Sequence, residues 1–343
     1  MAPRFTVLLP TRNRSPLLRL AIASVLDQTE RDFELLVVGD ACTDDSAAVV
    51  ASFNDPRVRW FDLPKAFGFG YANRNVALRE SSGQYIAFVA DDNLVFPDHL
   101  ERLAATIDAS GAEWAYSRPL WVTTDGVVVP FASNLLNQDE LETFLTVCNH
   151  IPATCVMYTR PCLDAYGYWP EDVPRAGDWH YWRRIIEGGH RAKYAFSPVP
   201  TTLHFHADWK TTLDTHSPEV TAARAIAATG AWWPASMRPT MSPGVREQAV
   251  FDALIRRPGY IERLRHDVTL VIDRLAWMRL TDTPVTVNQL QKALVAAEAR
   301  EHEASAALEA VVSSTSWRAT WPVRAVVGAL RQLGRRAAIG REG

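Results

Sequence analysis

The sequence predicts an α/β protein: a mostly parallel sheet flanked by helices, continued by an α-helical C-terminal extension. Three observations point there. Through the first hundred residues short buried-strand patterns alternate with amphipathic helical ones, which is how βαβ units read. Three of the four strand patterns in that stretch end in polar or acidic clusters, where the ligands of open α/β sheets gather. Of 343 residues, 48% are hydrophobic and 22% charged, enough apolar mass to bury a large core.

FTVLLP (5–10) is a short, continuous apolar run and so a buried strand. The polar turn TRNRS follows; Ser15 and Pro16 sit where an N-cap and a first helical residue belong, and a helix is expected from Leu17 to Gln28. FELLVVGD (33–40) is the second strand, ACTDDS its turn and Ala47 to Phe53 the next helix. Val58 to Asp62 forms a third strand, and after Gly68 and Gly70 comes a helix carrying Asn73, Arg74 and Asn75. Gly83 stops it before the fourth strand, YIAFVA (85–90), which ends in Asp91, Asp92 and Asn93. From residue 111 the expected strands are AEWAYS, then PLWVTTDGVVVPF folded at a hairpin turn of Thr124, Asp125 and Gly126, then ATCVMYT (153–159). Helices are expected at Arg160 to Tyr166 and from near Asp178 to just before Gly188. Beyond His206 the chain is alanine-rich and helical, broken by Pro234, Pro239, Pro243 and Pro258.

Composition excludes several classes. A net charge of -3, from 36 basic and 39 acidic side chains, argues against a nucleic-acid partner. Four cysteines (Cys42, Cys148, Cys155, Cys162) without a CxxC pair fit neither a disulfide framework nor a zinc site, so buried reduced thiols are expected. The first apolar run is too short for a signal peptide, and no run approaches the roughly 20 residues of a membrane span. The expected location is cytoplasmic.

The strongest chemical constellation is acidic. Asp40, Asp44 and Asp45 follow the second strand, and Asp91 and Asp92 the fourth. Such a concentration of charge suits a hard divalent cation or the hydroxyls of a sugar or ribose, or else a set of solvated helix-capping acids. His204 and His206 alternate on LHFHADWK, so in an extended chain they point the same way, a geometry open to metal or diphosphate ligation. Asn149 and His150 could line a binding pocket. For Trp179, Tyr181, Trp182, Trp232 and Trp233, core packing competes with sugar stacking.

PTRNR, VVGDACTDDS, GYANRNVAL, GQYIAFVADDNLVFPDHLE and RAGDWHYWRRIIEGG, in that order over roughly residues 4–206, resemble the family 2, GT-A-fold inverting glycosyltransferases. The resemblance implies a Rossmann-like GT-A domain that binds a nucleotide-diphosphate sugar. Thr11 and Arg12 would border the nucleotide, Asp40 would bond the base, and Arg74 would lie near base and diphosphate. The family's Asp-x-Asp metal motif falls on Ala90, Asp91 and Asp92. Its first acid is replaced by alanine, while Asp91 is left to face the ribose and Asp92 to hold a divalent metal, Mn²⁺ or Mg²⁺. Family members often bring a late histidine, here His204 or His206, to that metal. Asp178 matches the catalytic carboxylate, with Trp179 and His150 on the acceptor side. The acceptor would be a hydroxyl of a glycan or glycolipid. A sugar-phosphate nucleotidyltransferase is the rival enzyme, although TRNRSP has no glycine and the first half only one lysine, Lys65. The rival from another class is a non-catalytic carbohydrate-binding or scaffold protein.

The expected organisation is a glycosyltransferase domain at 1–210, split near 110 into nucleotide-sugar and acceptor halves. It is followed by a helical extension (211–284), a short heptad helix (285–312) and a basic amphipathic tail (313–343). The heptad seam, Leu290, Leu294, Ala297, Glu301, Ala304, Leu308 and Val311, would pair two chains or fold back on its own domain. From Ser316 onward six arginines and one glutamate accompany Trp317 and Trp321, a composition suited to peripheral contact with an anionic inner-membrane face.

Overall fold

The computed structural model describes residues 2–131, 133–188, 194–206, 218–230, 232–278, 303–304 and 306–307. Met1 to Asp273 form one compact unit, and Arg274 to Gly343 a second. The expected heptad helix, apart from residues 303, 304, 306 and 307, and the whole basic tail lie outside the described residues.

The first unit is built on a seven-stranded sheet. Its strands are β1 (Phe5–Thr11), β2 (Phe33–Asp40), β3 (Val58–Leu63), β4 (Tyr85–Phe88), β6 (Trp114–Ser117), β9 (Val156–Thr159) and β10 (Tyr194–Ser197), in the order β10-β6-β9-β4-β1-β2-β3. All pairs are parallel except those of β9, which runs antiparallel to both β4 and β6. The near-continuous apolar character of β1 and β2 is what burial on both faces demands, and nearly every residue of the two is buried. Helices α1 (Ser15–Leu26), α2 (Ser46–Ser52) and α4 (His99–Ser110) cover one face. On the other lie α3 (Tyr71–Arg79), α5 (Gln138–Thr146), α6 (Arg160–Tyr166) and α7 (Gly177–Glu187). A smaller four-stranded sheet, β5 (Leu94–Val95), β11 (Thr202–Phe205), β7 (Leu120–Val122) and β8 (Val128–Pro130), sits at the site end of the first.

Several expectations are corrected in detail. Ser15 is the first helical residue and not the cap. Its backbone N–H donates across the chain to Asp44 Oδ2 (2.9 Å), while Asp44 Oδ1 takes the Ser46 hydroxyl and amide at 2.6 and 3.1 Å. One carboxylate thus serves the starts of α1 and α2, and those bonds outweigh the opposing effect of burial and hold Asp44 below its usual range. Residues Ala153–Cys155 form a 3₁₀ turn ahead of β9, and not the first half of a strand. Helices α4 and α5 and strands β5 and β10 have no counterpart in the sequence reading. None of the four cysteines is in a disulfide, but only Cys155 and Cys162 are buried; Cys148 is exposed. The hairpin at 124–126 closes as expected, with Leu120 opposite Pro130 and Val122 opposite Val128.

After β11 come α8 (Pro218–Thr229), α9 (Glu247–Ile255) and a helix over 260–278, here α10. Phe251 of α9 meets Phe205 at a 5.7 Å ring separation. Arg265 of α10 forks onto Asp98 at 2.8 and 2.7 Å and donates to the Pro200 carbonyl at 3.1 Å. Among the described residues no helix is long and apolar enough to cross a membrane.

Candidate active site

The carboxyl ends of β1, β2 and β4 open on one side of the sheet, and their loops build the site. Asp40 closes β2, buried. It accepts from the Ala66 amide (2.8 Å) and from Asn73 Nδ2 (2.8 Å), and pairs with Lys65 Nζ at 2.8 Å. The loop can reach it because Gly70 sits at φ +77°, with the position of a Cβ only 3.1 Å from the Asp40 carboxyl; a side chain there would be strained and crowded.

The β4 loop carries the acid pair. Asp91 is buried, takes the Thr11 hydroxyl at 2.8 Å and shares Arg14 with Asp92; one guanidinium nitrogen lies 3.0 Å from each carboxylate. Burial and the adjacent Asp92 charge push Asp91 up to about 6, against the pull of Arg14 and Thr11. Burial opposes the charge on Arg14, but attraction to Asp91 and Asp92 raises its affinity for its proton above the ordinary value. Asn93, next in the loop, contacts His204 Nδ1 (3.0 Å) and donates to the Thr154 hydroxyl (2.8 Å). From α9, Gln248 Nε2 lies 3.5 Å from the Asp92 carbonyl.

Arg74 occupies the middle. Its guanidinium lies over the rings of Tyr71 (4.7 Å), Trp169 (4.9 Å) and Phe88 (5.1 Å), and Nη2 donates to the Phe69 carbonyl at 3.0 Å. Burial lowers its affinity for its proton, while Tyr71, Asp178, Asp91 and Asp40 all raise it. Three acids, from the end of β2, the loop after β4 and the start of α7, therefore act on a single arginine, which stays cationic. Its buried Nε has no partner among the described residues.

Asp178 arrives from α7. It is the second helical residue, not the cap; that position belongs to Ala176 at φ +55°. The Gly177 amide donates to Tyr71 Oη at 2.9 Å, and a Cβ on Gly177 would lie 2.5 Å from the Tyr71 ring, so only glycine lets α7 start this close to α3. Asn149 Nδ2 holds Asp178 Oδ2 at 3.0 Å.

The structure thus gathers Thr11, Asp40, Arg74, Asp91, Asp92, Asp178 and His204 at the carboxyl ends of the strands. Arg12 is exposed and forms no ion pair among the described residues. His206 is buried just beyond β11, its amide bonded to the Val122 carbonyl at 2.9 Å. His150 lies buried between the rings of Phe131 and Phe144, and Trp179 donates to the Phe144 carbonyl at 2.6 Å. Tyr181, Trp182 and Trp233 are core residues, and Trp232 is half-buried. The residue that sequence reasoning passed over is Arg14. It stands two positions after Arg12 in the same turn, and nothing local distinguishes which of the two points inward. Lys65 was noted only as the lone lysine of the first half, Asn73 only as a neighbour of Arg74.

Whether a divalent cation suits these residues can be read from the acid pair. Two carboxylates converge on one point with a single positive charge between them, and the second oxygen of Asp92 has no partner among the described residues. Among those residues no group of three or more His, Cys, Asp or Glu side chains is gathered for a metal. The donor set fits a cation completed by a ligand's own oxygens, as Mg²⁺ prefers, and not a closed protein cage.

Residues 6–167 match the family described as Glycosyl transferase family 2. The chain carries a family 2 glycosyltransferase domain. It is similar to the succinoglycan biosynthesis protein ExoO of Rhizobium meliloti, 36% identical over 124 residues (36% of this chain, 35% of that protein). It also resembles the GalNAc(5)-diNAcBac-PP-undecaprenol beta-1,3-glucosyltransferase of Campylobacter jejuni, 34% identical over 104 residues (29% and 33%). The matched segments span about a third of those relatives' lengths. In fold the chain is similar to S. aureus TarS 1-349 solved with UDP-GlcNAc, at a TM-score of 0.52 and 21% identity over 62% of each chain. The glycosyltransferase domain has the mixed sheet and flanking helices of that neighbour. Asp178 lies eleven residues past the matched segment.

Proposed function

We propose that the chain transfers a sugar, with inversion, from a nucleoside-diphosphate donor to a hydroxyl of a glycan or glycolipid acceptor. The observation that carries this is the single arginine, Arg74, held between the charges of Asp40, Asp91 and Asp178 at the carboxyl ends of the strands. Its guanidinium charge would attract and position a diphosphate. Asp40, fixed by Asn73 and Ala66, offers its carboxylate to the N–H edge of a base. Asp91, on the Thr11 side, faces the ribose.

Asp178 acts as the general base. Inverting transfer needs a carboxylate that takes the acceptor's proton while its oxygen attacks the anomeric carbon opposite the leaving diphosphate. Asn149 holds one oxygen of Asp178 at 3.0 Å, and the start of a helix favours the charged form. Asp92, with His204 beside it through Asn93, would hold a divalent cation, which when bound supplies Lewis-acid neutralisation of the leaving diphosphate. Arg74 and Arg14 add fixed positive charge to the same group. The names of the relatives, which include an undecaprenol-linked glucosyltransferase and a succinoglycan biosynthesis protein, support a lipid-linked or polysaccharide acceptor. The basic tail would bring the enzyme to an anionic membrane surface, and the heptad helix would pair two chains.

The test is turnover of a panel of nucleotide sugars with Mn²⁺ or Mg²⁺ by wild type and Asp178→Asn. Loss of about 10²- to 10⁴-fold in transfer, with nucleoside diphosphate still raising the melting temperature of the variant, is the expected result. Transfer within threefold of wild type removes Asp178 from the role of base. Release of pyrophosphate from a nucleoside triphosphate and sugar phosphate would make the enzyme a nucleotidyltransferase.

A further inference from the structure

The acid pair already has a cation between its members, and it belongs to the chain. Arg14 Nη1 donates to Asp91 Oδ1 and to Asp92 Oδ2, each at 3.0 Å. An arginine that grips a carboxylate for structural purposes normally uses two parallel N–H groups on one partner. Here one nitrogen serves two carboxylates, which is how a point charge sits between acids. The acids are the fixed members: side-chain exposure is 7% for Asp91, itself tied to Thr11, and 14% for Asp92, against 33% for Arg14.

The backbone beneath Arg14 is anchored on both sides. Asn13 Oδ1 takes the Thr43 amide at 2.7 Å, and the Ser15 amide donates to Asp44 at 2.9 Å. The side chain can therefore swing from a base that does not move. With alanine at position 90 the loop offers two negative charges, so one guanidinium leaves a single uncompensated charge, and a divalent cation would leave none.

We propose that Arg14 is a displaceable counter-cation, which closes the Asp91–Asp92 pair to metal ions in the donor-free protein and swings onto the donor's diphosphate when a divalent cation takes its place. This rests on the metal-assisted reading above and adds regulation to it. A cation arriving alone must break two charge-assisted hydrogen bonds and send the guanidinium into water. A cation arriving with a diphosphate leaves neither Arg14 nor the carboxylates unpaired, because the phosphate oxygens receive Arg14 as the carboxylates receive the metal. Cation and donor therefore load together.

The test uses the full-length chain and Mn²⁺ alone, followed by electron paramagnetic resonance of the free ion. Arg14→Gln should bind Mn²⁺ about tenfold or more tightly than wild type, because a unit charge within hydrogen-bond distance of the ligands has gone. Arg14→Lys, which keeps the charge, should stay close to wild type. In Arg14→Gln/Asp92→Asn the gain should vanish, and Arg14→Met stands in if Arg14→Gln does not fold by circular dichroism. Equal Mn²⁺ affinity for wild type and Arg14→Gln, with binding abolished by Asp92→Asn in both, overturns the counter-cation role and leaves the metal site intact. Absence of Mn²⁺ binding in all variants, with or without uridine diphosphate, overturns both. A gain that survives Asp92→Asn places the ion elsewhere and overturns the proposal.

Discussion

Gly177 leaves no room for a side chain beside Asp178. A methyl there would lie 2.5 Å from the Tyr71 ring, so Gly177→Ala must either push α7 away from α3 or twist the ring out of its bond with the Gly177 amide. Overpacking of this kind costs about 1–3 kcal/mol. Because Asp178 is the next residue, kcat should fall by tenfold or more while nucleoside diphosphate binding persists. Tyr71→Phe removes only the hydrogen bond, so its cost should stay near 0.5–1.5 kcal/mol with kcat changed less. Chemical denaturation and steady-state kinetics on the same preparations separate the two. Asp40→Ala strips three donors, the Ala66 amide, Asn73 and Lys65, of their acceptor. Calorimetric titration with nucleoside diphosphate should then show binding weakened at least tenfold, with stability down by about 1–3 kcal/mol. At this scale the sequence was legible where an acid ends a strand, as with Asp40, Asp91 and Asp92. It was silent on Arg14 against Arg12, because the choice depends on a left-handed Asn13 (φ 53°) that turns the chain between them.

Elements were legible where burial imposes a period. β1, β2 and the helices after them are read directly from apolar runs and the residues between. Helix α5 escaped because its apolar stripe is a single turn, Leu141, Phe144 and Leu145, too short to mark a helix among six polar residues. Strands β5 and β10 are two and four residues long, below the length at which alternation is informative. Strand β9 was recognised but not its place, since local composition does not record which neighbours a strand will pair. The helices after β11 lie outside the family match yet are fastened to the domain, and Arg265 is the chief fastener. Arg265→Met removes the fork onto Asp98 and the bond to the Pro200 carbonyl, and should lower stability by about 1–3 kcal/mol while speeding hydrogen exchange through residues 260–278. Arg102→Met, which loses the exposed partner of the same aspartate, should cost less than about 1 kcal/mol.

For the molecule as a whole, two buried groups set opposing responses to acid. Burial lowers His99 to about 4, with Asp98 only partly opposing, and its Nδ1 is matched to the Thr201 hydroxyl at 2.8 Å. Between pH 4 and 6.5 the unfolded chain protonates this histidine and the folded chain does not, so stability falls as pH falls through that window, by on the order of 3 kcal/mol. Asp91 has the opposite sign. Raised from 3.8 to about 6, it binds its proton more readily when folded, so it favours the folded state on acidification and that contribution is lost as pH rises through 6. The two act in opposite directions over overlapping ranges of pH. His99→Gln leaves only the second, so urea midpoints for this variant, measured relative to its own value at pH 7, should rise between pH 6 and 5 by comparison with wild type. Parallel curves for the two proteins would contradict this.

The antiparallel strand wedged between β4 and β6 has a consequence for how the protein comes into being. Its neighbours are complete by residues 88 and 117, but β9 itself spans 156–159. A nascent chain threading out of the ribosome must hold two naked strand edges apart for some forty residues of synthesis before the piece that joins them emerges. Exposed edges of that kind invite pairing with the wrong chain, and they are natural clients of chaperones. The same wedge frustrates modular swapping. A chimaera cut between the donor-side and acceptor-side halves would put β4 and β9 in different parents, so such grafts must carry the stretch from 85 to 159 as one cassette.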